Sequence, residues 1–427
     1  MTTLGEYIKV QGGYAYKSKD FIESSDNKVL KIKNVRFGTI DYSEPAYVSN
    51  EIAEATKNWK VKEGDVLISM TGSGPNAPQS LVGRVARVWK NEPDAWINQR
   101  VGRVCLLDEA PVYLDFIFYW LSLPQSQDYL VSNSSGSANQ ANISGKILES
   151  LPCPKVDYQI SKQIADLARK FDEKIILNSQ TNQTLEEMAQ AIFKSWFVDF
   201  DPVKAKMNGE LPEGMDAATA SLFPEKLVES ELGLIPDGWE LTNIGKVSEC
   251  FDKKRIPLSK RQRDQKQGSI PYYGATSVMD YVDEAIFDDI YLLIGEDGSV
   301  MKDDGTPFIQ YIWGPAWVNN HAHVLQGIKS VSTEQLMLFF QQTNINAYVT
   351  GAVQLKINQR NMNSIPFIKA PKEINERFYD VVAPLYVKTR AIKEENEQLA
   401  KLRDTLLPKL LSGEINLDTT EELVEVN

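Results

Sequence analysis

At 427 residues, with 42% apolar, 10% aromatic and 24% charged side chains, the chain has the make-up of a globular protein with room for about two to four cores. That excludes a disordered tail, a collagen-like fibre and a disulfide-stapled miniprotein. Net charge is −12, from 46 basic and 58 acidic residues, which at first weighs against nucleic acid, since phosphate needs basic surface.

Taken in chain order, GGYAYKSKDF (12–21) gathers Tyr14, Tyr16, Lys17 and Lys19, and Lys28, Lys31, Lys33 and Arg36 follow. VLKIKNV (29–35), DVLISM (65–70) and AWINQRVGRVCLL (95–107) cluster or alternate β-formers between turn residues and predict strands. FIFYWLSL (116–123), the longest apolar stretch, falls far short of the roughly 20 residues that span a bilayer. The start, MTTLGEYIKV, lacks a signal-peptide pattern. Asp157 is positioned to cap a helix that ends before Asp201-Pro202. Its stripe is Ile160, Ile164, Leu167, Phe171, Leu185, Met188 and Ile192.

Residues 201–238 alternate proline and glycine in a linker composition, partly helical at most. KKRIPLSKRQRDQK (253–266) then carries seven Lys/Arg against one acid, with Lys253, Lys254 and Arg255 at its head, and leads into SIPYYGATS with Tyr272 and Tyr273. Strands are expected in IYLLIG (290–295), PFIQYIWG (307–314) and WVNNHAHVL (317–325). A second long helix begins near Pro371 and stops at Ser412-Gly413. Pro384 inside it should bend it. An acidic tail, 413–427, closes the chain.

The charge is unevenly spread. Residues 201–240 hold three Lys against nine acids and residues 412–427 five acids and no base, so 6 + 5 = 11 of the 12 excess charges lie there. The remainder is nearly neutral, and nucleic acid is permitted.

Self-comparison shows a repeat. ISGKILESLPCPK, from Ile143, superposes on INQRNMNSIPFIK, from Ile357, at a shift of 214. The same shift carries Ile160, Ile164, Leu167, Phe171, Leu185, Met188 and Ile192 onto Ile374, Phe378, Val381, Leu385, Leu399, Leu402 and Leu406. Spacings of four and three mark a heptad seam. AWINQRVGRV echoes AWVNNHAHVL, DVLISMTGSG echoes DIYLLIGEDG, and LGEYI near the start echoes NIGKV at 243–247. The chain thus reads as two copies of one unit, a mixed strand-rich globule followed by a helix of about 38 residues, or about 57 Å. Such helices have most to gain by burying their stripes against each other, antiparallel, with a pseudo-two-fold axis. Lys174, Asn178, Thr181, Lys388 and Glu395 interrupt the seam; they either weaken the coil or set its register.

Motifs for chemistry are missing. There is no GxxxxGK[ST], no GxGxxG opening a helix and no NPP[YF] or DPPY. Gly72-Ser73-Gly74 reads as a turn. Cys105, Cys153 and Cys250 form no CxxC, so neither a disulfide framework nor a metal site is expected, and a reducing cytoplasm fits. Alternation places His321 and His323 on one strand face without a third ligand. No catalytic residue is assigned. The residues weighed for DNA contact are Tyr14, Tyr16, Lys17, Lys19, Lys31, Lys33, Lys253, Lys254, Arg255, Tyr272 and Tyr273. Singly, each reads as solvated surface; together they occur at similar places in both copies, where Lys and Arg can neutralise phosphate.

FDEKIILNSQTNQTLEEMAQAIFKSWFVDFDP (171–202), ESELGLIPDGWELTNIGKV (229–247) and KTRAIKEENEQLAKLRDTLLPKLLSGEI (388–415) resemble the specificity subunits of Type I DNA restriction-modification enzymes, and the resemblance spans essentially the whole chain. It implies an α+β chain with two similar mixed α/β target-recognition domains separated by a long antiparallel helical coiled coil. Their bounds would be 1–156 and 239–370, with conserved helices at 157–200 and 371–412. It further implies that each domain reads half of a bipartite, asymmetric site on double-stranded DNA. Two modification subunits using S-adenosylmethionine and restriction subunits using ATP and magnesium are the implied partners, with no cofactor on this chain. A coiled-coil protein adaptor without DNA specificity is the alternative.

Overall fold

The computed structural model describes residues 2–74, 80–137, 140–351 and 354–415; most of the acidic tail lies outside them. The chain divides into two compact units, one formed by residues up to Leu177 and from Glu395 onward, the other by Asn178–Glu394.

In the first unit β1 (Ile8–Gly12), β2 (Val66–Ser69), β3 (Val85–Arg87) and β4 (Val101–Leu106) form an antiparallel sheet of order β1-β4-β2-β3. Side-chain alternation divides its residues between two layers. Val66, Ile68, Val85 and Val104 face one core, and Leu67, Ala86 and Val101 face another. The second core is closed by a smaller sheet in which Lys28–Leu30 pairs parallel to Ala95–Ile97, Val29 opposite Trp96. The first core is closed by α1 (Leu114–Ser122), built from the apolar FIFYWLSL run, and by part of α2 (Tyr158–Phe197). Asp157 caps α2, its Oδ1 accepting from Ile160 N at 2.9 Å.

The second unit repeats the plan. β5 (Ser248–Cys250), β6 (Tyr291–Gly295), β7 (Ile309–Ile312) and β8 (Ala322–Gly327) pair antiparallel in the order β5-β8-β6-β7. Again one strand serves two cores: Leu292 and Ile294 point one way, Leu293 the other. Gln267–Tyr273 runs parallel to Pro315–Val318, Tyr272 opposite Trp317. α3 (Thr333–Gln342) and α4 (Lys372–Ser412) close the larger core.

In each unit a strand that enters the globule pairs with the strand that leaves it. Thr2–Thr3 pairs with Pro152–Cys153, and Glu240–Asn243 with Pro366–Lys369. Leu4 N donates to Leu151 O at 2.9 Å and Ile244 N to Ile365 O at 3.0 Å, the same bond in both repeats.

Portions of α2 and α4 pair antiparallel within each unit. In the first, Arg403 binds Asp172, Asn396 Nδ2 donates to Ile175 O at 3.4 Å, and Lys174 pairs with Glu395 at 3.5 Å. In the second, Asn182 Nδ2 donates to Thr389 O at 3.4 Å and Phe378 meets Phe193 and Phe197 with ring centroids 6.0 and 4.9 Å apart. Of the polar interruptions, Lys174 and Glu395 therefore find each other, which favours a register role over mere weakening.

The heptad expectation needs correction in its burial. Ile164, Ile374 and Phe378 are buried, Leu167, Phe171, Leu185, Ile192, Val381, Leu385, Leu399 and Leu406 partly so, but Ile160, Met188 and Leu402 are each 47% exposed. The reason is that the helices pack on their globules as well as on each other, so Ala165, Ala168, Ala189, Phe193, Val382 and Tyr386, adjacent to the seam, carry much of the burial. α4 continues through Pro384 and starts one residue after Pro371, which therefore stands just outside the first turn. Gly413, at φ +77°, ends it, with Glu414 N reaching back to Lys409 O.

Residues 201–238 are more structured than their linker composition suggests. Helices at Asp201–Met207 and Ala217–Ser221 precede a hairpin of Leu227–Ser230 and Gly233–Pro236. Phe200, Val203 and Phe223 join the second unit's core beside Trp239. The Lys31–Val35 part of the strand expected at 29–35 is instead a 3₁₀ turn, Ile32–Asn34.

Candidate nucleic-acid interface

In the first unit the 12–21 segment is held by aromatic packing. Tyr14 contacts Tyr16 and Trp59 edge-on at 4.9 Å each, and Tyr16 lies 5.9 Å from Phe21. Trp59 Nε1 donates to Gly12 O at 3.0 Å, and the Tyr16 hydroxyl is 3.0 Å from Thr56 Oγ1. Burial raises the Tyr16 phenol. The two tyrosines thus hold a loop in shape, while Lys17 and Lys19 stand exposed on it. Lys31 lies over the Phe21 ring at 4.4 Å and Lys33 pairs with Glu44 at 2.8 Å.

The second unit splits its candidates more sharply. Lys253 and Lys254 are exposed, Lys254 hanging over the Phe251 ring at 5.6 Å. Arg255 instead turns inward: its guanidinium donates to Glu296 at 2.7 Å and Ala322 O at 2.6 Å and pairs with Asp252 at 3.2 Å. It cannot reach phosphate without abandoning these bonds. Tyr272 is buried, its hydroxyl accepting from Leu258 N at 2.9 Å, and Tyr273 is partly buried. Arg263, from the same basic run, is tied to Asp280 at 2.8 Å. Exposed positive charge in the 253–266 run comes from Lys253, Lys254, Lys260 and Arg261.

The two histidines do not share a face. His321 sits exposed in a turn before β8, paired with Asp297, whereas His323 is 1% exposed. His323 Nδ1 lies 2.6 Å from Asp252 and Nε2 2.9 Å from Ile357 O. Burial works to raise the Asp252 carboxyl, but the bond from His323 and the charge of Arg255 hold it below the usual range. Cys250 joins them, so that three ligand-type atoms fall within 4.8 Å of one another; burial and the Asp252 charge push its thiol up to about 12. With Arg255 inserted among these groups, the arrangement suits a buried hydrogen-bonded ion cluster better than a cation.

Sequence reasoning passed over the acids that join each globule to its long helix. Asp115, second residue of α1 and 3% exposed, takes Arg87 in two hydrogen bonds of 2.9 and 3.2 Å and Arg169 of α2 at 3.2 Å. Glu334, second residue of α3 and 4% exposed, accepts from the Tyr311 hydroxyl at 2.7 Å, and Arg390 of α4 binds that hydroxyl and stands 3.8 Å from the carboxylate. Burial, then Glu334, raise the Tyr311 phenol. An acid in the second position of a mostly apolar helix, in both repeats, was the available signal. Nearby, a cavity of about 450 Å³ opens beside Trp89, Phe118 and the Tyr119–Asp172–Arg403 chain.

Among the described residues no helix is long and apolar enough to cross a membrane. The family described as "Type I restriction modification DNA specificity domain" matches residues 1–187 and 236–401. The chain belongs to that family, and its class is the specificity subunit of a type I restriction-modification system. The HindI specificity subunit of Haemophilus influenzae is 27% identical over 412 residues, covering 83% of this chain and 87% of the relative. The MjaIX specificity subunit of Methanocaldococcus jannaschii is 22% identical over 416 residues, covering 91% and 89%. A crystal structure of a Type-I restriction-modification system S subunit from M. genitalium shares the fold, with a TM-score of 0.54 at 17% identity over 96% of this chain and 95% of that one.

Proposed function

We propose that each globule reads one half of a bipartite, asymmetric site on duplex DNA, and that the helices fix the interval between the halves and carry two modification subunits and the restriction subunits. The observation that carries this reading is one four-stranded scaffold built twice, β1-β4-β2-β3 and β5-β8-β6-β7, with unlike segments at 12–21 and 253–273. A scaffold repeated with divergent loops suits two readers addressing two different base sequences. Half-sites about one helical turn apart, roughly 34 to 36 Å, present the same groove face. Methyl transfer to adenine from S-adenosylmethionine and ATP- and magnesium-dependent restriction would belong to the partners. This chain supplies address, with Lys17, Lys19, Lys253 and Lys254 placed to neutralise phosphate.

The test exchanges residues 1–150 for those of another specificity subunit and maps methyladenine genome-wide in cells that also express the partner subunits. One half-site should change and the other stay. A change in both halves contradicts independent readers, and methylation indifferent to the exchange supports a mere adaptor.

A further inference from the structure

Both units anchor the globule to the long helix by the same means, in a place where apolar packing would be simpler. A carboxylate is buried at the second residue of the globule's helix, next to the last strand of the main sheet's order. Arg87 or Tyr311 on that strand binds it from the globule's side. Arg169 or Arg390 reaches it from the long helix. Around the first anchor Arg169 also donates to the Tyr113 hydroxyl at 3.1 Å and pairs with Asp166 at 2.8 Å and Glu173 at 3.3 Å. Around the second, Gln335 Nε2 donates to Asn375 Oδ1 of α4 at 2.9 Å, both side chains fully buried.

A buried ion pair is poor at adding stability, because desolvation offsets much of the Coulomb attraction, and its better-attested use is to fix one geometry among several. Apolar surfaces tolerate sliding and rotation; a guanidinium forked between fixed acceptors does not. The two anchors also differ in chemistry, Arg–Asp–Arg against Tyr–Glu–Arg, so similar placement rather than similar residues is what the two repeats share.

We propose that Arg169 with Asp115, and Arg390 with Glu334, are positioning residues that set the angle at which each globule is held on its stretch of helix, and so restrict the enzyme to one spacer length. The bases read are left to other segments of each globule. This rests on the bipartite reading above.

The experiment maps methyladenine in cells expressing the full chain with its partner subunits, comparing the natural chain with Arg169→Leu, Arg390→Leu, Arg169→Lys and Glu334→Gln. Both leucine variants should keep the half-site bases and raise the methylated fraction at sites whose spacer differs by one base pair at least tenfold. Arg169→Lys, which keeps the charge but not the fork, should fall between. If a leucine variant fails to accumulate as folded chain, Arg169→Lys and Glu334→Gln decide alone, since each preserves side-chain volume. Unchanged spacer selection in folded variants overturns the proposal, as does altered half-site sequence or uniform loss of methylation at every site. Should the natural chain itself direct methylation to an uninterrupted site, the bipartite reading fails instead.

Discussion

Phe378 and Leu402 occupy equivalent-looking positions on one heptad stripe, yet their surroundings differ, and truncating each measures where the helix is held. Phe378 is fully buried, with ring centroids at 4.9 Å from Phe197, 5.7 Å from Trp196 and 6.0 Å from Phe193. Phe378→Ala removes a core aromatic, at about 3–5 kcal/mol including the cavity left behind, and edge-on partners place it toward the upper end. In a unit of this size about 4 kcal/mol lowers the melting midpoint by roughly 8–16 °C. Leu402 keeps 47% of its surface in water, so Leu402→Ala should cost about 1 kcal/mol or less. Urea unfolding followed by tryptophan fluorescence suits the comparison, since Trp196 and Trp239 lie in the same cluster as Phe378, and Trp89 and Trp120 in the cluster that takes Leu406 and Leu407 beyond Leu402. Equal losses for the two variants would refute the claim that helix–globule packing dominates over the heptad seam.

Glu92 gives a pH test: burial pushes its carboxyl up to about 7, opposed by hydrogen bonds from Trp89 N and the Tyr42 hydroxyl. A carboxyl raised by folding contributes stability when protonated, and that contribution is lost as pH climbs from the ordinary carboxylate value through about 7. Glu92→Gln should therefore flatten the fall in melting temperature between pH 5 and 8, and an unaltered slope would exclude Glu92 as its source. Arg255→Ala should destabilise on the order of 3 kcal/mol by stranding Asp252 and Glu296, whereas Lys254→Ala should leave the melt unchanged and weaken DNA binding by the assembled enzyme at all sequences, lowering its salt slope by about one. Removing Ser179–Asn182, four residues or roughly one helical turn, should shift the preferred spacer and spare both half-sites; methylation mapping reads the outcome directly.

The repeat was legible because it is written in local chemistry. Ser144 and Asn358, separated by the 214-residue shift, both cap short helices, accepting from Ile147 N and Asn361 N. Asp157 announced its helix by the same means, and Gly413 ended the other. Strand order was not legible, since β1 pairs with β4 about ninety residues later and alternation says nothing of partners. The inward turn of Arg255 and the separation of His321 from His323 escaped for a related reason: Arg255 is drawn to Glu296 and His323 to Asp252, each at the end of another strand. The hairpin after Leu227 escaped because its proline- and glycine-rich sequence reads as open chain until a neighbouring core is there to receive it.

The two-stranded clasps at the base of each globule have a historical corollary. Where a polypeptide leaves a globule beside the place it came in, the whole intervening stretch behaves as a removable cartridge. Genetic exchange whose breakpoints fall just outside Thr2–Cys153 or Glu240–Lys369 would move a whole globule and leave the sequence of the long helices as it was. If each globule reads a half-site as proposed, one such exchange would give the chain a new address in a single step, without a run of intermediate substitutions.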